Sequence, residues 1–151
     1  MKERVKLTKV EERRKNQYKD TTTFHWYNAN PKGKITCDCA IRAVAAVLDI
    51  TWAEAYNQMI EMSMKTGIMV NDPKLITKFI ESKGFKKMSQ PRDEFNKKIT
   101  VKEFILHNKN YLKGKRILIN AGAHHSSAII NCKVYDTWDC TWTKIGNWWV
   151  I

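Results

Sequence analysis

The stretch Thr36-Cys37-Asp38-Cys39-Ala40-Ile41-Arg42-Ala43 places a cysteine where an apolar helix begins. Its counterpart lies far downstream, in Gly122-Ala123-His124-His125-Ser126-Ser127-Ala128-Ile129-Ile130-Asn131-Cys132-Lys133-Val134-Tyr135-Asp136-Thr137-Trp138-Asp139. There a histidine and an aspartate sit on neighbouring apolar runs joined by a two-residue turn. A thiol at a helix N-terminus, met by an imidazole and a carboxylate from a sheet, is the arrangement that nucleophilic thiol chemistry needs. The fold follows from bringing these two stretches together.

Working outward from Cys39, the apolar set Ala40, Ile41, Val44, Ala45, Val47 and Leu48 predicts a helix buried on most sides. Asp38 is expected to cap it, since its carboxylate can accept from the orphan amides of the first turn. Thr51-Trp52-Ala53-Glu54 fits a capping box that opens a second helix, running to about Lys65 and broken by Gly67. Asp72-Pro73 restarts a helix with the stripe Leu75, Ile76, Phe79 and Ile80, ended by Gly84. Residues 86 to 99 read as polar connection. Thr100-Val101-Lys102-Glu103 is a further capping box, with Val101, Phe104 and Ile105 behind it.

The pattern then changes. Arg116 to Asn120, Ser127 to Ile130 and Lys133 to Tyr135 are short and rich in branched or aromatic residues, so they read as strands. Asn131-Cys132 is the hairpin turn between the last two, without the favoured glycine. Trp148 to Ile151 reads as a final strand. Helices first and an antiparallel sheet second predict an α+β fold. Residues 1–23 read as a basic N-terminal lead-in and 24–151 as one domain, whose first packed piece is Phe24-His25-Trp26-Tyr27. Asn28-Ala29-Asn30-Pro31-Lys32-Gly33 is loop chemistry.

Composition narrows the classes. The chain has 151 residues, enough for one domain with a true core, and 43% of them are hydrophobic, which argues against disorder of the bulk. No stretch approaches the apolar length that spans a bilayer, and Met1-Lys2-Glu3-Arg4-Val5-Lys6 lacks the apolar run of a secretory signal. The expectation is therefore a cytoplasmic protein without a membrane partner. The formal charge of +12 permits nucleic-acid binding, although the positives are dispersed and that partner is not favoured. Four cysteines without a signal segment read as free thiols.

Cys39, His125 and Asp136 form the leading chemical set. An imidazole can take the thiol proton, and a carboxylate on its far nitrogen fixes the tautomer and stabilises the imidazolium. His124 is the alternative base, Asp139 the alternative acid, and Cys37 reads as a structural thiol in the same loop. A zinc site could draw on Cys37, Cys39, His124, His125, Cys132 and Cys140. Cys-x-Cys with His-His is not a common structural zinc spacing, so no metal or other cofactor is expected.

These two motifs resemble those of papain-like cysteine peptidases. They are similar in particular to small papain-like proteins of phages and bacteria, in which Asp-Cys-x-x-Arg-Ala opens the helix and Tyr-Asp-Thr-Trp-Asp follows the histidine. The matching residues here are Asp38-Cys39-Ala40-Ile41-Arg42-Ala43, then His125, Ala128 and Tyr135-Asp136-Thr137-Trp138-Asp139. The resemblance covers roughly residues 28 to 149. It implies N-terminal helices on a C-terminal sheet, with Cys39 as nucleophile, His125 as base, Asp136 as its orienter and Trp138 as a shield over the pair.

Ala123 stands where the family usually has glycine, and the family's oxyanion glutamine has no equivalent in the region of Gly33 and Lys34. Asn28 or Asn30, with the Cys39 amide, are the substitute donors. The resemblance implies hydrolysis or transfer at peptide, isopeptide or side-chain amide bonds of a protein or peptide substrate. Residues 1–23 would be placed to cover the site as a removable segment. The competing reading is a catalytically weak binding module, either a host-factor inhibitor or a nucleic-acid-associated protein.

Overall fold

The structure, a computed structural model, describes residues 6–151. It is an α+β fold with six helices and one six-stranded mixed sheet. The helices are α1 (Lys9–Gln17), α2 (Cys39–Leu48), α3 (Trp52–Thr66), α4 (Pro73–Ser82), α5 (Val101–His107) and α6 (Lys109–Leu112). The strands are β1 (Phe24–Trp26), β2 (Lys86–Met88), β3 (Arg116–Ala121), β4 (His125–Ile130), β5 (Lys133–Asp136) and β6 (Ile145–Val150). Across the sheet their order is β1-β5-β4-β3-β6-β2.

Side chains alternate across a strand, so one sheet can bury two cores. Leu118, Ala128 and Trp149 face one way, into a core with Ala40, Ile41, Val44, Met59 and Leu75 of α2, α3 and α4. Ile117, Ile119, Ile129 and Val134 face the other, into a core with Val101, Phe104, Ile105 and Leu112 of α5 and α6. Val44, Leu118, Ala128 and Ile129 are wholly buried. The capping boxes at Thr51–Glu54 and Thr100–Glu103 form as the sequence predicts. Gly67 ends α3 in the left-handed region at φ 70°.

Four expectations are corrected. The sheet is mixed rather than antiparallel, because β1 runs parallel to β5 with Phe24 opposite Val134. The stretch expected to be polar connection contains β2, which pairs with β6 through Lys86 and Val150. Its short, charged sequence has no apolar alternation to betray it. The last strand starts at Ile145, not Trp148, since Ala121 of β3 pairs with Ile145. Asp38 does not cap α2, for the reason given with the site below.

The lead-in contains a helix. Thr8 and Glu11 form a capping box at its start, Tyr18 meets Phe24 edge-on at 6.2 Å, and Lys15 lies over the Trp26 ring at 5.7 Å. Residues 6 to 18 therefore lie against the body of the domain, and the first five residues of the lead-in lie outside the described residues. Among the described residues no helix is long and apolar enough to cross a membrane.

The β4–β5 hairpin turns at Asn131 (φ 46°) and Cys132 (φ 67°). Two consecutive positive φ angles match the right-handed twist of the flanking strands, and asparagine accepts that conformation at low cost. Cysteine does not, because its Cβ crowds the backbone there. Replacing Cys132 with glycine is therefore expected to stabilise the fold by about 0.5–1 kcal/mol in urea unfolding. A loss of stability would show that the Cys132 side chain, whose thiol reaches the Lys109 carbonyl at 3.3 Å, outweighs the strain.

Candidate active site

Cys39 is the first residue of α2 and half-buried. Asp38, just before it, has its carboxylate engaged by three donors: Asn30 Nδ2 at 3.0 Å, Arg42 Nε at 2.9 Å and Trp52 Nε1 at 2.9 Å. This is why it makes no cap bond. The carboxylate is drawn sideways into the core, and the first-turn amides of α2 remain without a side-chain acceptor. Those amides and the helix dipole favour negative charge at the position Cys39 occupies.

His125 owes its place to a tight connection. Residues 122–124 form the turn after β3, and Ala121 pairs with His125 as β4 begins. His124 is left exposed on the turn, while His125 is the first strand residue. Asp136 ends β5, one hairpin away. His125 Nε2 lies 2.5 Å from Asp136 Oδ2, which also accepts from Ser127 Oγ at 2.7 Å. The other oxygen, Oδ1, accepts from Arg42 Nη1 at 3.1 Å and from the Thr137 amide at 2.7 Å. Four donors thus fix this carboxylate, and its hydrogen bond leaves His125 Nδ1 for the thiol.

The electrostatics follow from this geometry. Burial alone would raise the Cys39 thiol. Hydrogen bonds from His125 and the Ser126 amide, with the positive charges of His125 and Arg42, outweigh it and hold the thiol below its ordinary value. Burial likewise disfavours an imidazolium at His125. The hydrogen bonds to Asp136 and Cys39 and the negative charge of both override it, lifting His125 to about 9. These opposite shifts favour the thiolate–imidazolium form of the pair over the neutral one. Trp138 crosses the His125 ring edge-on at 4.9 Å, which keeps water from one side of the pair.

The other candidates fall elsewhere. Asp139 accepts from the Thr141 amide and hydroxyl in a local turn. Asn28 and Asn30 do not line the cleft in front of Cys39. Asn28 donates to the Lys34 carbonyl and Asn30 to Asp38, so both expected oxyanion donors serve the loop instead. Cys37 is exposed and lines the cleft beside Cys39.

Of the zinc set, Cys37, Cys39, His124 and His125 line the cleft, while Cys132 sits at the far turn of the β4–β5 hairpin. Among the described residues His125, Asp136 and Cys140 do converge within 4.8 Å. Yet the His125 nitrogen and the Asp136 oxygen already bind each other. Cys140 is wholly buried, and burial together with the Asp136 charge pushes its thiol well above the ordinary range.

Arg42 is the residue whose role the sequence left unassigned. It is 6% exposed, and one guanidinium spans Asp38, Asp136 and the Thr137 hydroxyl at 2.6 Å. The signal was present as a single charge in the otherwise apolar run Cys39–Leu48, four residues after an aspartate. Ser127 and the Ser126 amide carried no such signal, because their roles depend on strand register.

No protein-family model, no curated protein and no solved structure matches the chain. Removing the guanidinium should leave two buried carboxylates facing an uncharged gap. Arg42→Met is expected to cost roughly 3–5 kcal/mol in urea unfolding, as when one partner of a buried pair is lost. A cost under about 1 kcal/mol would mean the two carboxylates do not depend on Arg42.

Proposed function

We propose that the protein is a papain-like thiol enzyme, hydrolysing or transferring acyl groups at peptide, isopeptide or side-chain amide bonds. One observation carries this reading: a half-buried cysteine at a helix start shares a cleft with a histidine that holds its thiol down and whose Nε2 is held by a four-times-anchored carboxylate.

The chemistry runs in two stages. The Cys39 thiolate attacks the substrate carbonyl carbon, and a C–S bond forms as the carbonyl electron pair moves onto oxygen. When that oxyanion collapses, the C–N bond breaks and the His125 imidazolium gives its proton to the departing amine. The resulting thioester is resolved when neutral His125 takes a proton from water, or from an acceptor amine, that attacks the same carbon. The C–S bond then breaks and the thiolate–imidazolium pair returns. Asp136 stays a hydrogen-bond acceptor throughout and holds the imidazole ring in line.

The oxyanion needs donors, and Asn28 and Asn30 are committed elsewhere. The uncapped Cys39 amide is one donor. Asn120 is the second. It sits in β3 opposite Ser126, whose amide faces the thiol, and it lines the same cleft. Its side-chain amide bonds none of the described residues, so it is free to donate.

Incubation with p-nitrophenyl acetate tests the scheme without knowledge of the natural substrate. The expected results are turnover, an acetyl group on Cys39 by peptide mass spectrometry, and no adduct there in Cys39→Ala. His125→Ala should slow acylation by at least about 10²-fold and Asn120→Leu by roughly 10²-fold. Acetylation spread evenly over the accessible cysteines, or rates untouched by His125→Ala, would remove the enzyme reading.

A further inference from the structure

The cleft in front of Cys39, about 560 Å³, falls within the roughly 300–1,000 Å³ of ligand-holding sites. It does not end at the thiol. On the α4 side it continues into a second hollow of about 510 Å³, and the two share Pro73, Thr77, Asn120 and Trp149. On the α1 side it continues into a third of about 360 Å³, sharing Arg14, Ile35, Thr137 and Trp138. Cys39 therefore lies in the middle stretch of one elongated groove, a shape suited to an extended polymer rather than a compact metabolite.

The charge along this groove is one-sided. Arg14 stands on the α1 side, and Lys74, Lys78 and Lys87 stand on the α4 side. Glu81 is the only acidic side chain among the described residues that line the three hollows. Arg42 also lines the groove, but its charge is already met by Asp38 and Asp136.

Groups that read a peptide backbone are present as well. Asn71 and Asn120 line the middle hollow, and their side-chain amides bond none of the described residues. Trp149 floors two of the hollows at 2% exposure, and its buried indole N–H has no protein partner.

We propose that the substrate is an acidic, extended polypeptide segment. It lies along this groove with its reacting carbonyl at Cys39 and carboxylate side chains on both sides of it. The proposal rests on Cys39 being the acylating thiol. Carboxylates to one side would meet Arg14, and those to the other would meet Lys74, Lys78 and Lys87. The cationic rim would speed encounter and reject basic segments. The amides of Asn71 and Asn120 would pair with the main chain.

Binding and catalysis can be tested apart. The probe is a fluorescein-labelled, glutamate-rich peptide of about twelve residues, roughly 40 Å long when extended at ~3.3 Å per residue. It is titrated into Cys39→Ala protein, which cannot turn it over, with anisotropy as the readout. The expected result is binding that weakens with salt. Binding should also weaken roughly tenfold in the combined variant Lys74→Glu, Lys78→Glu, Lys87→Glu, and severalfold in Arg14→Glu. The matching Lys→Gln set, with far-UV circular dichroism, separates charge from misfolding and should show an intermediate loss.

In the wild-type protein the same peptide should slow iodoacetamide labelling of Cys39, which places it in the groove. Any of four results overturns the proposal: no binding, binding indifferent to the charge reversals, no protection of Cys39, or equal competition by a single-stranded DNA of the same charge. The last would assign the groove to nucleic acid. Labelling of Cys39 without peptide reports on the nucleophile alone, so failure of the substrate class is distinguishable from failure of the thiol chemistry.

Discussion

The buried guanidinium of Arg42 ties the two halves of this protein together. Its Nε holds Asp38 at the start of α2, and its Nη1 holds Asp136 at the end of β5, ninety-four positions away in sequence. Taking such charges out of water costs several kcal/mol per ion, repaid only when every partner is in place. The arrangement therefore has one low-energy solution: α2 seated against β4 and β5 with Cys39 beside His125. Formally, two carboxylates face one guanidinium, which leaves a net negative charge. This excess, with the Cys39 thiol beside it, favours an imidazolium at His125, in keeping with the elevation of that ring to about 9.

The same network explains why the helix start is open. An aspartate before a helix would ordinarily bend its carboxylate back over the first turn. Here Asn30, Arg42 and Trp52 compete for Asp38 and win, because all three donors are in or beside the core. The loop, α2 and α3 are thereby joined at one carboxylate, and the first-turn amides are left facing the cleft. A structural demand for satisfied buried polar groups thus leaves the first-turn amides of α2 without a side-chain acceptor.

What could be read from the sequence follows the range of the forces involved. The helices were legible because caps and apolar stripes are local signals: Thr51 with Glu54, Thr100 with Glu103, Asp72 with Pro73. The β4–β5 hairpin was legible because Asn131-Cys132 sits between two branched runs, and the register it sets brings Asp136 within reach of Ser127 and His125, two residues apart on one face of β4. The parallel pairing of β1 with β5 was not, since a three-residue strand carries no direction of its own. Nor was β2, whose lysines are exposed and whose partner β6 lies far along the chain. The helix-cap reading of Asp38 failed because three distant donors overrode a local preference. Asn120 carried no signal either, because only the β3–β4 register puts it on the cleft that Cys39 lines.

The central claim is that Cys39 and His125 exchange a proton to form a stable ion pair. It is tested most directly by the pH dependence of iodoacetamide labelling at each cysteine, read by peptide mass spectrometry in wild-type and His125→Ala protein. The account predicts that Cys39 labels fastest, remains reactive below the pH range of an ordinary thiol, and shifts its titration upward when His125 is removed. Cys140 should stay unlabelled while the protein is folded, as its burial requires. If Cys39 in folded protein titrates like Cys37 and ignores the loss of His125, the pair does not exist and the account is wrong.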